Sequence, residues 1–477
     1  MGMQFVGRER ELAMLKNCAQ RPVASLVVIH GRRRIGKSCL TDEFGKNKTY
    51  YHFTGIAPGP NITAQMQRDQ FASRLGGYFS LPGLKGDDWA DLFTVLAKEC
   101  QQGEVILLLD EISWMGMHDP TFLGKLRNAW DREFKRNNQL MLILCGSISS
   151  WIEKNILTST GFLGRVSQTI QLEELPLKDC FKFWGDNQNI TTYEKLKYLS
   201  VTGGVPRYLE ELNPKLTAED NIRHLCFSPG GLLVKEFDNI FSDLFGKRSE
   251  LYSRILELLI NGPMEAKSIS QALHVELTGW LSEHLSDLEK SGFIERDYTW
   301  NLKTGIDSRL SHFRLSDNYI RFYMKYMQKH IRKIERGDFH MKSLSSLPGW
   351  KMMLGYQFEN LVLRNRKAIK EQLDIHPGEL ITDNPYFQRA TTRQKGCQID
   401  YLIQTKFHTL YVCEIKFRDS LIGPSIIKEL QEKIEHMNKP RGFSCRPVLI
   451  HVNGVSDEVI DADYFAKVID FCSLAES

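Results

Sequence analysis

Gly31-Arg32-Arg33-Arg34-Ile35-Gly36-Lys37-Ser38 sets two glycines, a lysine and a hydroxyl at the spacing G-x-x-x-x-G-K-[ST]. Phosphate binding accounts for each residue type. Glycines let successive backbone N–H groups turn inward around an anion, and a helix N-terminus behind them adds its dipole. Lys37 then reaches the β- and γ-phosphates, and the Ser38 hydroxyl holds Mg²⁺. The apolar run Ala24–His30 precedes the loop, and a helix is predicted from Cys39 to Phe44, which is the strand–loop–helix order the motif requires. An acidic pair belongs with it. Asp110–Glu111 closes the apolar run VILLLD, so a carboxylate stands at the C-terminal edge of a buried strand, where open α/β sheets bind ligands. Asp110 is expected to hold Mg²⁺ through water and Glu111 to orient and polarise the attacking water. Together these residues predict binding and hydrolysis of ATP.

A second chemistry lies near the C-terminal end. Gly396-Cys397-Gln398-Ile399-Asp400 begins one strand, and Leu410-Tyr411-Val412-Cys413-Glu414-Ile415-Lys416-Phe417 forms the next. Glu414 and Lys416 are two apart and share a strand face, and Asp400 meets them if the strands form a hairpin. Two carboxylates can bind a divalent cation, Mg²⁺ or Mn²⁺, and a lysine beside it can activate or position water. Glu359, in the helical stretch QFENLV, is a further ligand on this reading. The competing reading of E-x-K is an exposed charged face, but the flanking Val412, Ile415 and Phe417 put an acid and a base in an apolar run.

The elements that position these residues follow from hydrophobic pattern. The strands Ala24–His30, Val105–Asp110 and Leu140–Cys145 alternate with helices Ala64–Phe79 and Asp88–Cys100, an α/β layer with a parallel sheet. Helices dominate after residue 175. Three short ones, Leu251–Ile260, Ala266–Leu273 and Gly279–Ser291, precede a strand at Gly292–Asp297, the order of a winged helix. Glu283, Asp287 and Glu289 on the third helix suit a structural or interdomain role better than base readout, and Lys325–Arg336 is the better local candidate for nucleic acid contact. The last segment returns to strands at Ile399–Ile403, Leu410–Phe417 and Pro447–Val452. Four segments result: an ATPase core over 1–175, a helical lid over 176–245, a winged helix with linker helices over 246–345, and an α/β domain over 346–477. A length of 477 residues, 42% hydrophobic and 25% charged, describes a soluble globular chain, and a net charge of +4 leaves any nucleic-acid surface local. Ten scattered cysteines without a CxxC pair argue against a zinc ribbon and for a reducing cytoplasm. No apolar run nears the ~20 residues of a membrane span, so no membrane partner is expected.

The N-terminal lead-in Phe5-Val6-Gly7-Arg8-Glu9-Arg10-Glu11-Leu12 resembles the adenine-contacting segment of AAA+ and STAND-type ATPases. With GRRRIGKS, LLLDEISWM and Gly203-Gly204-Val205-Pro206-Arg207-Tyr208-Leu209, residues 1 to 230 resemble the archaeal-type ATPase family of that clade. The resemblance implies nucleotide contacts from Phe5, Val6, the loop Gly31 to Ser38 with Cys39 after it, Asp110, Pro206 and Arg207. It places Ser147 at the sensor-1 position, Arg207 near sensor 2, and Arg165 as a candidate arginine finger, acting either in cis or between subunits of a homo-oligomer. Surface ion pairing is the alternative for both arginines. Arg32, Arg33 and Arg34 could serve phosphate, a neighbouring acidic subunit or DNA. From about residue 250 onward, including Asp317-Asn318-Tyr319-Ile320-Arg321-Phe322-Tyr323, the chain resembles the domain of unknown function DUF234 that accompanies this ATPase, and the D/E-x-K pattern resembles the PD-(D/E)xK nuclease superfamily. That implies a metal-dependent DNA endonuclease under nucleotide control, with Asp400, Glu414 and Lys416 catalytic and Glu359 a supporting ligand, and a setting such as defence against foreign DNA. The alternative is a nucleotide-dependent switch that binds DNA or protein without cleavage.

Overall fold

Three strands of the N-terminal sheet, β1 (Ser25–His30), β3 (Val105–Asp110) and β4 (Leu140–Gly146), are buried along their whole length, which aliphatic runs permit only when both faces of a sheet are covered. The computed structural model describes residues 5–475 except 148, 186–188, 246–248, 277–278 and 393. With β2 (Thr49–Thr54) and β5 (Val166–Gln171), these strands form an all-parallel sheet in the order β2-β3-β4-β1-β5. Strand alternation divides the side chains between two cores. Leu26, Val28, Leu107, Leu109, Leu142 and Leu144 pack with Phe71, Trp89, Phe93 and Leu126 from helices Ala64–Phe79, Trp89–Glu99 and Phe122–Arg132. Val27, Ile29, Ile106, Leu108 and Ile143 pack with Leu15, Leu40 and Phe44 from helices Glu9–Ala19 and Lys37–Gly45. β2 is an edge strand, and side chains of helix Ala64–Phe79 occupy its outer edge: the Tyr78 hydroxyl accepts from His52 N and donates to His52 O, both at 3.1 Å, and Gln70 Nε2 donates to Thr54 O at 3.2 Å. β4 separates β1 from β3, so the ends of the P-loop strand and the acidic strand stand roughly 10 Å apart, two strand spacings.

The chain divides into two compact units, Met1–Glu173 with Asn239–Gly246, and Glu174–Asp238 with Lys247–Ser477. The segment expected to be a separate lid, 176–245, is thus split, with most of it packed into the second unit. There, three helices (Ser249–Leu258, Ala266–Leu273, Gly279–Lys290) lead into an antiparallel hairpin of β6 (Ile294–Trp300) and β7 (Asp307–Leu315). A mixed sheet follows: β8 (Leu380–Gln388), β9 (Cys397–Thr405), β10 (Thr409–Lys416), β11 (Ser444–His451) and β12 (Lys467–Asp470), in the order β12-β11-β10-β9-β8. The first three strands are antiparallel neighbours, and helix Ser425–His436 carries the crossover from β10 to the parallel β11.

Trp300 shows why the hairpin cannot act as a free wing. It is 2% exposed within the core of the mixed sheet, its Nε1 donates to Gln404 Oε1 at 2.5 Å, and Gln404 Nε2 donates to Leu302 O at 2.9 Å. Arg314, on β7, is also buried, paired with Asp297 at 2.9 Å and Glu295 at 2.5 Å and donating to the Asn360 side chain. Asn360 donates to Asn318 Oδ1, and Asn318 donates to Leu199 O, so hairpin, helix Trp350–Arg364 and helix Thr192–Thr202 share one polar network. A satisfied network of this kind fixes relative positions because breaking any member strands a buried charge.

Candidate nucleotide site and acidic cluster

The P-loop bends where glycine is required. Gly31 has φ +150°, and a Cβ there would stand 2.4 Å from Leu172 O; Gly36 has φ +87° and caps helix Lys37–Gly45. Lys37 is buried, its Nζ donating to Gly31 O and Arg32 O, each at 3.0 Å, so the ammonium lies across the loop it is expected to serve. Ser38 Oγ donates to Asp110 Oδ2 at 2.8 Å. A hydroxyl and a carboxylate so placed are hard oxygen donors that fit Mg²⁺. Burial alone would raise the Asp110 carboxyl, but His52, Ser38 and Lys37 together hold it below the usual range. His52, on β2, brings Nε2 to 3.4 Å from Asp110 Oδ2.

Glu111 sits one residue beyond β3 with φ +50°, a left-handed conformation that costs a non-glycine residue about 1–3 kcal/mol and that clusters at functional sites. Its Oε2 accepts from Ser147 N at 3.1 Å and Ser147 Oγ at 2.9 Å. Ser147 follows β4, the strand between the P-loop and Asp110, and so can hold the glutamate from the side. Burial raises the Glu111 carboxyl, the direction a proton-accepting group needs. Arg8, which sequence reasoning passed over, is buried with φ +68° and donates to Ile35 O at 3.1 Å and Glu173 O at 2.6 Å, tying the lead-in to the loop. Phe5 packs on the adjoining core, and Val6 is half-buried. Arg32 is buried, Arg33 Nη1 donates to Asn239 O at 3.3 Å, and Arg34 has φ +69°. Cys39 is exposed on the first turn of the helix.

Both arginines assigned by resemblance are engaged within their own units. Arg165 grips Asp131 through Nε at 3.0 Å and Nη2 at 2.7 Å. Arg207, next to Pro206 at the start of helix Pro206–Leu209, pairs with Glu210 at 3.2 Å and Glu211 at 2.6 Å. In the basic stretch 325–336, Lys325 Nζ is enclosed, whereas Lys329, Arg332, Lys333 and Arg336 are exposed.

In the mixed sheet, the β9–β10 register runs to Tyr401↔Cys413, and one step further Asp400 stands across from Glu414. Asp400 Oδ2 accepts from Ile415 N at 3.0 Å. Glu414 is 1% exposed, with a lysine on each oxygen: Lys416 on Oε1 at 2.9 Å and Lys433 on Oε2 at 2.6 Å. Lys433 also lies 3.5 Å from Asp400 Oδ1, and Lys416 lies 3.1 Å from Glu429. Burial and then the charge of Glu414 raise the Asp400 carboxyl; burial and then the charge of Asp400 raise that of Glu359, on helix Trp350–Arg364. Among the described residues, no group of three or more His, Cys, Asp or Glu side chains is placed to hold a metal ion. Lys433 went unpredicted, though Ile426, Leu430 and Lys433 fall at helical i, i+4, i+7 spacing, which puts the lysine on the stripe that faces the sheet.

Residues 5–212 match the family described as an ATPase domain predominantly from Archaea. An uncharacterised protein of Methanocaldococcus jannaschii is 25% identical over 360 residues, 75% of this chain and 76% of its own length, so that likeness runs past the ATPase domain. Among solved structures, a Walker-type ATPase of Pyrococcus abyssi is 17% identical, with a TM-score of 0.48 over 67% of this chain and 96% of that one. The ORC2 protein of Aeropyrum pernix in its ADPNP–ADP complexes is 13% identical, with a TM-score of 0.42 over 71% of this chain and 97% of that one. No described helix is long and apolar enough to cross a membrane. The motif in its strand–loop–helix setting, the acidic pair closing β3 and the family match together make residues 5–212 an archaeal-type P-loop ATPase domain.

Proposed function

We propose that this chain is an ATP-hydrolysing AAA+/STAND-type ATPase joined to a metal-dependent DNA endonuclease in its second unit. One observation carries the nuclease half: Asp400 Oδ1 and Glu414 Oε2, from neighbouring strands, converge on a single cation, here the Lys433 ammonium. Oxygens that converge on one charge, with Lys416 on the same strand face as Glu414, suit Mg²⁺ or Mn²⁺ and a phosphodiester. When bound, such an ion lowers the pKa of water and neutralises charge on the scissile phosphate. Asp400 and Glu414 hold it, Glu359 supports them from its helix, and Lys416 positions water or stabilises the growing phosphate charge. At the P-loop, Lys37 and the loop amides bind the ATP phosphates, Ser38 and Asp110 take Mg²⁺, and Glu111 orients the attacking water, with Ser147 as sensor. Arg207 keeps the sensor-2 role that the family resemblance implies, and Arg165 acts as the finger from a neighbouring subunit of a homo-oligomer.

Packing supports coupling of the two activities. Helix Thr192–Thr202 belongs to the lid segment, and its Tyr193 stacks on Phe417 at 5.2 Å, the residue after Lys416. Helix Thr192–Thr202 and the acidic cluster thus share one unit, and a contact runs from that helix to the residue beside Lys416. A cytoplasmic nuclease under such control suits defence against foreign DNA. The second reading, a switch that binds DNA or protein without cleavage, draws on the two lysines that already satisfy both Glu414 oxygens. Plasmid DNA incubated with Mg²⁺ or Mn²⁺, with and without ATP, separates the two. The nuclease reading expects metal-dependent cleavage that Asp400→Ala abolishes; absence of cleavage under every condition selects the switch.

A further inference from the structure

We infer that Lys433 is the resident counter-ion of the Asp400–Glu414 pair and has to swing aside before a divalent cation enters, so the resting chain keeps this site closed to metal. The inference rests on the metal-site reading above and adds a gate to it. Each carboxylate has one oxygen already committed: Asp400 Oδ2 accepts from Ile415 N at 3.0 Å, and Glu414 Oε1 pairs with Lys416 at 2.9 Å. The oxygens left for a cation are the two that Lys433 faces, Glu414 Oε2 at 2.6 Å and Asp400 Oδ1 at 3.5 Å. Metal and ammonium therefore compete for the same two atoms.

Glu414 is 1% exposed and cannot be hydrated, so some cation has to stand beside it at all times. Lys433 can leave while its backbone stays. Its side chain is 30% exposed, and a four-carbon stem reaches from an apolar seat into water. Its carbonyl accepts from the Cys397 thiol at 3.2 Å, and His436 O, one turn on, accepts from Gln388 Nε2 at 2.7 Å, so the helix end is pinned to β8 and β9. Opening the site is thus a rotamer change rather than a movement of the helix. Lys416 stays behind on Glu414 and keeps its position toward substrate.

Mn²⁺ binding to the nucleotide-free full chain, followed by titration calorimetry and by the spin signal of the free ion, tests this. Wild type is compared with Lys433→Met, Lys433→Arg, Asp400→Asn and the Lys433→Met/Asp400→Asn pair, each checked for its fold by circular dichroism. Removing a charge-assisted contact to Glu414 should tighten Mn²⁺ binding roughly tenfold or more in Lys433→Met. Asp400→Asn should erase that gain, and Lys433→Arg, which keeps a cation in place and preserves the fold, should bind no tighter than wild type. Equal or weaker binding in Lys433→Met, with binding still lost in Asp400→Asn, overturns the gate and leaves the metal site standing. Binding that no Asp400 substitution alters overturns the metal site itself and the gate with it.

Discussion

Glu111→Gln should uncouple ATP binding from hydrolysis. The amide oxygen can still accept from Ser147 N and Oγ, so the contacts of 3.1 Å and 2.9 Å survive and the fold should keep its stability. Burial already disfavours the charged form of Glu111, so a neutral side chain adds no desolvation cost. ATP binding draws on Lys37, the loop amides and the Ser38–Asp110 pair, none of which changes; loss of a carboxylate near the phosphates can only favour the nucleotide. The amide cannot take up a proton or polarise water, which removes about 10²–10⁴ in rate, some 3–5 kcal/mol of barrier. Equilibrium binding of a fluorescent nucleotide and phosphate release in the same preparation measure both quantities. Lys37→Ala is the contrast, losing binding itself. Phosphate release by Glu111→Gln at the wild-type rate would refute the role given to Glu111.

Three further outcomes follow from particular contacts. Arg165 is held by Asp131 at a part-exposed surface, from which a neighbouring subunit's phosphate can recruit it, so Arg165→Ala should cut hydrolysis without weakening ATP binding, and a non-hydrolysable analogue should raise the mass seen by light scattering; a strict monomer with full activity excludes this. Trp300→Ala should cost about 3–5 kcal/mol in denaturant unfolding, because it opens a cavity in the mixed-sheet core and strands Gln404. Burial would raise the Glu295 carboxyl, but Arg314, then Arg364 and Arg366, hold it down to about 2 from an ordinary 4.5. A lowered pKa stabilises the fold above the ordinary value and loses that contribution as pH falls through the folded value. The stability advantage of wild type over Glu295→Gln should therefore hold from neutral pH to about 4.5 and shrink toward pH 2, and urea unfolding across that range would show it.

The nucleotide site was legible because its chemistry is local in sequence. β1, β3 and β4 are uniform aliphatic runs, and the helix predicted at Ala64–Phe79 has the bounds observed. β2 and β5 escaped notice for a physical reason: TYYHFT and VSQTIQ are sheet-edge strands with one buried residue each, so neither shows an apolar run nor clean alternation. The hairpin that brings Asp400 beside Glu414 could be read from strand spacing. The spacing of Ile426, Leu430 and Lys433 puts the lysine on the sheet-facing stripe of its helix, but only the packed crossover shows that it pairs with an acid 19 residues back along the chain. The lid illustrates the same limit. Its helices were visible, but only tertiary packing assigns residues 174–238 to the second unit.

One experiment bears most directly on the claim that two separable chemistries occupy one chain. Phosphate release and plasmid nicking are followed side by side, with Mg²⁺ and ATP, in wild type and in Glu414→Gln. The account predicts both activities in wild type, and in Glu414→Gln full phosphate release with nicking abolished, because Glu414 lies in the mixed sheet and the P-loop in the other unit. Nicking that survives in Glu414→Gln, or phosphate release that disappears with it, would contradict the account.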